Sequence, residues 1–127
     1  MKSYKVFIGF AALFGLLAVV IGALGAHLID ESLSAEALQR IETGLKYHFL
    51  HVAALLSVGI LATLHRNFNS YTLKLAGLAF IVGIILFSGS LYAYAITNNG
   101  LYSKLTPFGG LSYMLGWLFL FFFSLRK

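Results

Sequence analysis

Four long runs of residues without Asp, Glu, Lys or Arg dominate the sequence. About 20 apolar residues in a helix cross a hydrocarbon core about 30 Å thick, so each run can form one span. Lipid offers the backbone no hydrogen-bond partners, and the runs lack the alternation of a barrel strand, which predicts an all-α membrane protein. The runs Val6–Ala26, Tyr47–Leu64, Leu75–Thr97 and Phe108–Leu125 predict four transmembrane helices in one domain (1–127), with spans over about 6–26, 45–64, 74–97 and 108–125.

The composition excludes a soluble domain of this size. Hydrophobic residues make up 60% of the chain and charged residues only 10%, whereas soluble domains have about 45–50% and ~25%. The net charge of +5 comes from scattered basic residues, without the basic clusters typical of nucleic-acid surfaces. We therefore expect membrane lipid around the protein and no nucleic-acid partner.

The distribution of basic residues predicts the orientation of the four spans. The side that holds both termini and the loop between spans two and three carries six basic residues, and the other side carries three together with all four acidic residues. Lys and Arg collect in cytoplasmic loops. A multi-pass protein of the plasma (inner) membrane with both termini cytoplasmic is therefore predicted. The six basic residues are Lys2, Lys5, Arg66, Lys74, Arg126 and Lys127.

The polar segment between spans one and two has the pattern of an amphipathic helix. Ser34 is a suitable N-cap, and Leu38, Ile41 and Leu45 recur on one face. We expect a short amphipathic helix at the outer interface that runs into span two.

Small residues predict where helices pack closely. Helices in lipid gain little from packing Leu on Leu, so close association needs small residues. Span one carries such a stripe at Ala11, Gly15, Ala18, Gly22 and Ala26. The positions assigned to helix packing are Gly15, Gly22, Ala26, Gly83, Gly109, Gly110 and Gly116.

Polar side chains inside the spans gather toward the outer leaflet. Ionisable residues within a membrane are costly and normally face the bundle interior or water. A polar pocket is therefore expected at this depth, formed by His27, Tyr47, His48, His51, Ser88, Ser90, Tyr92, Thr106 and Pro107.

His51 lies deepest, about 10 Å from the start of its predicted span, and needs a partner. One interpretation gives it hydrogen bonds across helices to Ser88 or Tyr92. The alternative is a transition-metal or haem site, because imidazole suits zinc, copper and iron. Its ligands would be His48 and His51, with His27 or a carboxylate such as Glu42 as the third. Two histidines three residues apart are too few alone, and the chain has no cysteine, so no metal or other cofactor is expected.

Catalytic motifs are absent from the sequence: it has no P-loop, nucleophile motif or carboxylate pair. We expect a non-enzymatic protein that binds a lipid, a partner helix or another small ligand in the polar pocket. The partners considered are membrane lipid, a second copy of the chain and another membrane protein. The alternative is a membrane enzyme or transporter subunit with a histidine-based metal or haem site.

Several short strings together resemble the bacterial "domain of unknown function 423" family of small four-span inner-membrane proteins, which is related to an animal transmembrane protein. The strings are Gly22-Ala-Leu-Gly-Ala-His27, Thr43-Gly-Leu-Lys-Tyr47 followed by His51, Phe87-Ser-Gly-Ser-Leu-Tyr92, and Thr106-Pro-Phe-Gly-Gly110 followed by Gly116-Trp117.

The resemblance covers nearly the whole chain and implies an uncharacterised plasma-membrane protein without an assigned enzymatic activity. By matching position it adds Lys46 to the polar pocket. The chain departs from the family pattern at Leu28, where the family has glycine, and at Phe108.

The orientation can be tested with single cysteines, since the chain has none of its own. In intact cells, an impermeant maleimide should label a cysteine placed at Asn99 and leave one at Asn69 unlabelled, because Asn99 is predicted to lie outside. Efficient labelling at Asn69 but not at Asn99 would reverse the orientation.

Overall fold

The structure, a computed structural model, describes residues 3–25, 33–65 and 70–126. These residues are helical almost throughout. A π-helical turn, Ile84–Ser88, joins α3 to α4 without a break, and a 3₁₀ turn, Gly100–Lys104, precedes α5. The helices are α1 (Ser3–Leu24), α2 (Ala35–Leu64), α3 (Tyr71–Gly83), α4 (Gly89–Thr97) and α5 (Thr106–Ser124).

The predicted all-α fold with four membrane-spanning helices is confirmed. Within the described ranges, four helical stretches are long and apolar enough to cross a membrane, and none of these residues forms a strand. The four stretches are Tyr4–Leu24, Ala35–Leu64, Tyr71–Thr97 and Gly100–Ser124.

The amphipathic segment and the second span form one continuous helix, α2. Its start is capped by Ser34, whose Oγ accepts a hydrogen bond from the backbone N–H of Ala37 at 3.1 Å. The helix then continues for 30 residues, which is about 45 Å at 1.5 Å per residue. By contrast, α1 has 22 residues and α5 has 19, close to the thickness of the hydrocarbon core.

The extra turns of α2 and α4 lie side by side at one end of the bundle. Ala37 and Ile41 of α2 and Ala95 of α4 form a small buried cluster there. The guanidinium of Arg40 lies 3.8 Å from the ring centroid of Tyr94, a cation–π contact that joins the same two helices. We call this part, residues 33–48 and 88–106, the polar end.

The main apolar core lies at the level of the spans. There α2 and α3 are central, with α1 packed mainly on α2 and α5 packed on α3 and the π turn. Because lipid is itself apolar, this core stabilises the bundle through close van der Waals packing. Its large members include Phe7, Phe14, Leu55, Val58, Phe80 and Ile81.

The predicted stripe of small residues on α1 faces α2, but the two helices are no closer there than ordinary van der Waals contact. Ala11 and Ala18 are buried. A Cβ atom added at Gly15 would lie 3.4 Å from Val52, and one added at Gly22 would lie 3.9 Å from Leu45. Ala26 lies outside the described residues. Glycine is therefore not sterically required at these two positions.

Tighter contacts lie elsewhere, and some involve glycines that the spacing did not single out. A Cβ at Gly44 would lie 2.7 Å from Tyr92, and one at Gly59 would lie 2.7 Å from Ile8. Gly77 is packed against the ring of Phe7 in the same way.

Three of the glycines assigned to packing also make very close contacts. Added Cβ atoms at Gly83 and Gly116 would overlap the rings of Tyr113 and Phe80, and one at Gly109 would overlap the backbone of Phe87. Ring positions can adjust, but the backbone of the π turn cannot. Gly109 is therefore the position where α5 most needs glycine.

Adjacent glycines allow a matched test of this contact. Gly109→Ala should destabilise the bundle by about 1–3 kcal/mol, the usual cost of overpacking. Gly110→Ala should have little effect, because its Cβ would lie 3.7 Å from Phe87, at ordinary contact distance. The measurement is thermal unfolding in detergent. Equal stability of the two variants would contradict the close approach of α5 to the π turn.

Candidate functional site

The described residues of the predicted pocket lie at the polar end or directly beside it, on α2, the π turn, α4 and α5. His48, His51, Ser88 and Ser90 are buried. Tyr92 and Thr106 are half-buried, and Lys46, Tyr47 and Pro107 are exposed. His27 lies outside the described residues. The structure thus brings together most of the group that the sequence singled out.

Both ring nitrogens of His51 are hydrogen bonded. Nδ1 lies 2.7 Å from the backbone oxygen of Tyr47, and the indole Nε1 of Trp117 lies 3.0 Å from Nε2. A carbonyl can only accept and an indole N–H can only donate. His51 is therefore a neutral imidazole that donates from Nδ1 and accepts at Nε2. Bonds to Ser88 or Tyr92, which the sequence suggested, are wrong for this residue.

Aromatic rings cover His51. Its ring stacks on Tyr113 with centroids 3.5 Å apart and planes inclined by 9°, and Phe80 and Trp117 lie within 6 Å. With both nitrogens bonded and the ring enclosed, His51 cannot bind a ligand unless Trp117 moves away.

His48 differs from His51 because one of its nitrogens has no partner. Nδ1 lies 2.9 Å from the hydroxyl of Tyr92, and the side chain is only 3% exposed. Nε2 is the one buried side-chain nitrogen or oxygen in the described part of the chain without a hydrogen bond. The backbone of Phe14 lies near the ring but outside hydrogen-bond geometry.

Two serines tie α2, the π turn and α5 together. Ser88 Oγ donates to the backbone oxygen of Gly44 at 2.8 Å and lies 3.2 Å from the hydroxyl of Tyr113. Ser90 Oγ donates to a backbone oxygen of its own helix and lies 2.6 Å from Thr106 Oγ1. Two pairs of predicted pocket residues, His48 with Tyr92 and Ser90 with Thr106, are thus bonded across helices, where such bonds stabilise a membrane bundle.

The described residues contain no group of three His, Asp or Glu placed to hold a metal ion. The alternative ligand set of His27, His48 and His51 includes a residue outside the described ranges, so it stays a prediction. His51 could join such a site only by losing its bond to Trp117.

An open groove lies beside the hydrogen-bonded residues, between α1 and α2 at the polar end. It has a volume of about 620 Å³, and its apolar floor is formed by Gly22 of α1, by Gly25 just after α1, and by Leu38, Ile41 and Leu45 of α2. Gln39 and Glu42 line it as well. The apolar face at 38, 41 and 45 was the sequence signal for this surface, and none of the described residues of the predicted pocket lines it.

The bond between His51 and Trp117 can be measured by a double-mutant cycle. His51→Phe and Trp117→Phe each keep an aromatic ring and remove one partner. Their effects on the free energy of unfolding in detergent should couple by about 0.6–2 kcal/mol, the range for hydrogen bonds within membranes. The distant pair Tyr94→Phe and Trp117→Phe should be additive, and additivity of the first pair would exclude the bond.

Comparison with known proteins places the chain among bacterial membrane proteins. A family model described as "Protein of unknown function (DUF423)" matches residues 21–110. The "UPF0382 membrane protein YwdK" of Bacillus subtilis is 39% identical over 114 residues, which cover 90% of this chain and 91% of that protein. The "UPF0382 inner membrane protein YgdD" of Escherichia coli K12 is 33% identical over 117 residues, which cover 92% of this chain and 87% of that protein.

A third relative is the "UPF0382 membrane protein" of Haemophilus influenzae. It is 36% identical over 116 residues, which cover 91% of this chain and 90% of that protein. No solved structure matches the chain. The family match spans most of the described polar end, and the relatives are covered nearly from end to end. The chain therefore belongs to the DUF423 family of uncharacterised bacterial membrane proteins.

Proposed function

We propose that the protein is a non-enzymatic protein of the plasma membrane that binds a membrane lipid in the groove between α1 and α2 and thereby supports the integrity of the cell envelope. The observation that carries this proposal is the groove itself, which combines an apolar floor with a polar rim. We also propose that both termini are cytoplasmic, which would place the polar end and its groove at the outer leaflet.

The position of the groove along the bundle favours a lipid as its ligand. The first residue of α5, Thr106, bonds to Ser90, so α5 begins at the level of Ser90. The first turns of α2 extend beyond it. A groove at this level has its deep end beside acyl chains and its rim beside headgroups. A bound lipid would cover apolar side chains that otherwise face water.

The hydrogen bonds of the polar end support a non-enzymatic role. A general base needs an accessible nitrogen or carboxylate within reach of its substrate. Both nitrogens of His51 are bonded, and Ser88 and Ser90 donate to backbone oxygens. In the proposed protein these side chains have a structural role, because their hydrogen-bonding groups are already used within the bundle.

One observation favours the alternative of a histidine-based site in a membrane enzyme or transporter subunit. Nε2 of His48 is buried and unpaired, and a neutral imidazole nitrogen is a metal ligand. A single nitrogen is too few for a structural metal site. A histidine-based site is therefore the second candidate function, after lipid binding.

Two glycines of α1 provide a matched test of lipid binding. Gly22 lines the groove, whereas a Cβ added at Gly9 would have nothing within 4 Å. Gly22→Leu should fill the groove and lower the phospholipid retained after purification in mild detergent by about threefold or more. Gly9→Leu adds the same side chain to the same helix and should retain as much lipid as the wild type.

Mass spectrometry of the retained lipid and metal analysis distinguish the outcomes. Equal lipid retention in both glycine variants would exclude the groove as the binding site. A retained second copy or partner protein that Gly22→Leu displaces would make a helix the occupant. Stoichiometric metal that His48→Gln removes would favour the alternative function.

A further inference from the structure

We infer that the groove selects a lipid whose headgroup carries a primary ammonium group, as in phosphatidylethanolamine, and that the carboxylate of Glu42 accepts its hydrogen bonds. This inference rests on the proposed lipid binding and adds the chemistry of the headgroup to it.

The charge of the groove is the first reason to expect a headgroup with an ammonium group. Among the described residues that line the groove, Glu42 is the only charged one, and Gln39 adds a neutral polar side chain. Both side chains are exposed. A single carboxylate beside an apolar floor is complementary to an amphiphile with a cationic head, and it disfavours an anionic one.

The surroundings of Glu42 leave its carboxylate available. Within the described residues, no Lys, Arg or His nitrogen lies within 4.0 Å of it. Arg40, two residues before it, points to the other side of α2, where its guanidinium lies over the ring of Tyr94. The helix therefore separates Arg40 from the groove.

The order of charges along α2 is the second reason to expect such a headgroup. Lys46 is exposed and follows Glu42 by four residues, so it lies on nearly the same face, about 6 Å further toward the level of the spans. In a zwitterionic glycerophospholipid the phosphate lies nearer the acyl chains than the ammonium. Glu42 can thus meet the ammonium while Lys46 meets the phosphate.

Hydrogen-bond chemistry narrows the headgroup further. A primary ammonium has three N–H donors and can form charge-assisted hydrogen bonds to a carboxylate. The choline nitrogen carries the same charge but no N–H group, and glycerol headgroups carry no cation. Phosphatidylethanolamine should therefore bind more tightly than phosphatidylcholine or phosphatidylglycerol with the same acyl chains.

The test is a competition between three headgroups. The full-length protein is reconstituted into vesicles of equal parts dioleoyl phosphatidylethanolamine, phosphatidylcholine and phosphatidylglycerol, then re-extracted in mild detergent, and the retained lipids are quantified by mass spectrometry. We expect phosphatidylethanolamine to be enriched about threefold to tenfold over each of the others, as one exposed charge-assisted contact allows.

Three substitutions on α2 assign the preference to Glu42. Glu42→Gln should abolish the enrichment, and Glu42→Asp, which keeps the charge, should preserve part of it. Glu36→Gln is the matched control, because it removes an exposed carboxylate from the same helix at a residue that does not line the groove. It should leave the enrichment unchanged.

The results separate the inference from the proposed function. Retention of the three lipids in equal proportion by the wild type, or the same loss of enrichment in Glu42→Gln and Glu36→Gln, would overturn the role of Glu42 while lipid binding stands. Lipid retention by the wild type no greater than by Gly22→Leu would overturn lipid binding itself. Loss of enrichment in Glu42→Gln alone would support both.

Discussion

The close approach of α5 to the π turn is the contact on which the polar end depends. Gly109 allows the two backbones to touch, and the hydrogen bonds on either side follow from that distance. Thr106, one turn before Gly109, reaches Ser90, and Tyr113, one turn after it, reaches Ser88. A side chain at position 109 would separate the helices and leave buried hydroxyl groups without partners, which is costly where no water replaces them.

The π turn joins two halves of the third span that make different kinds of contact. A π turn holds more residues per turn than an α-helix and is frequent at functional sites. Below it, Phe80 packs against Gly116 of α5 and beside His51 of α2. Above it, Ser88 and Tyr92 both face α2, where they bond to Gly44 and His48. The π turn thus marks the change from apolar contacts in the third span to hydrogen bonds at the polar end.

The sequence predicts the parts of this fold that depend on composition. Charge-free runs are enough to identify four helices, because every span must satisfy its own backbone. Contacts between helices depend on the rotation of each helix about its axis, which hydropathy does not determine. Trp117 was therefore missed as the partner of His51, and Gly44, Gly59 and Gly77 were missed as close contacts. The groove had only one signal, the apolar face at 38, 41 and 45.

Among the described residues, the unequal lengths of the helices give the bundle a smaller cross-section at the polar end than at the level of the main core. Four helices fill the hydrocarbon level, but among the described residues only the extra turns of α2 and α4, with the 3₁₀ turn, continue past the start of α5. Past that level the described residues form a helix pair, whose shape depends on the contacts between α2 and α4 rather than on the four-helix core.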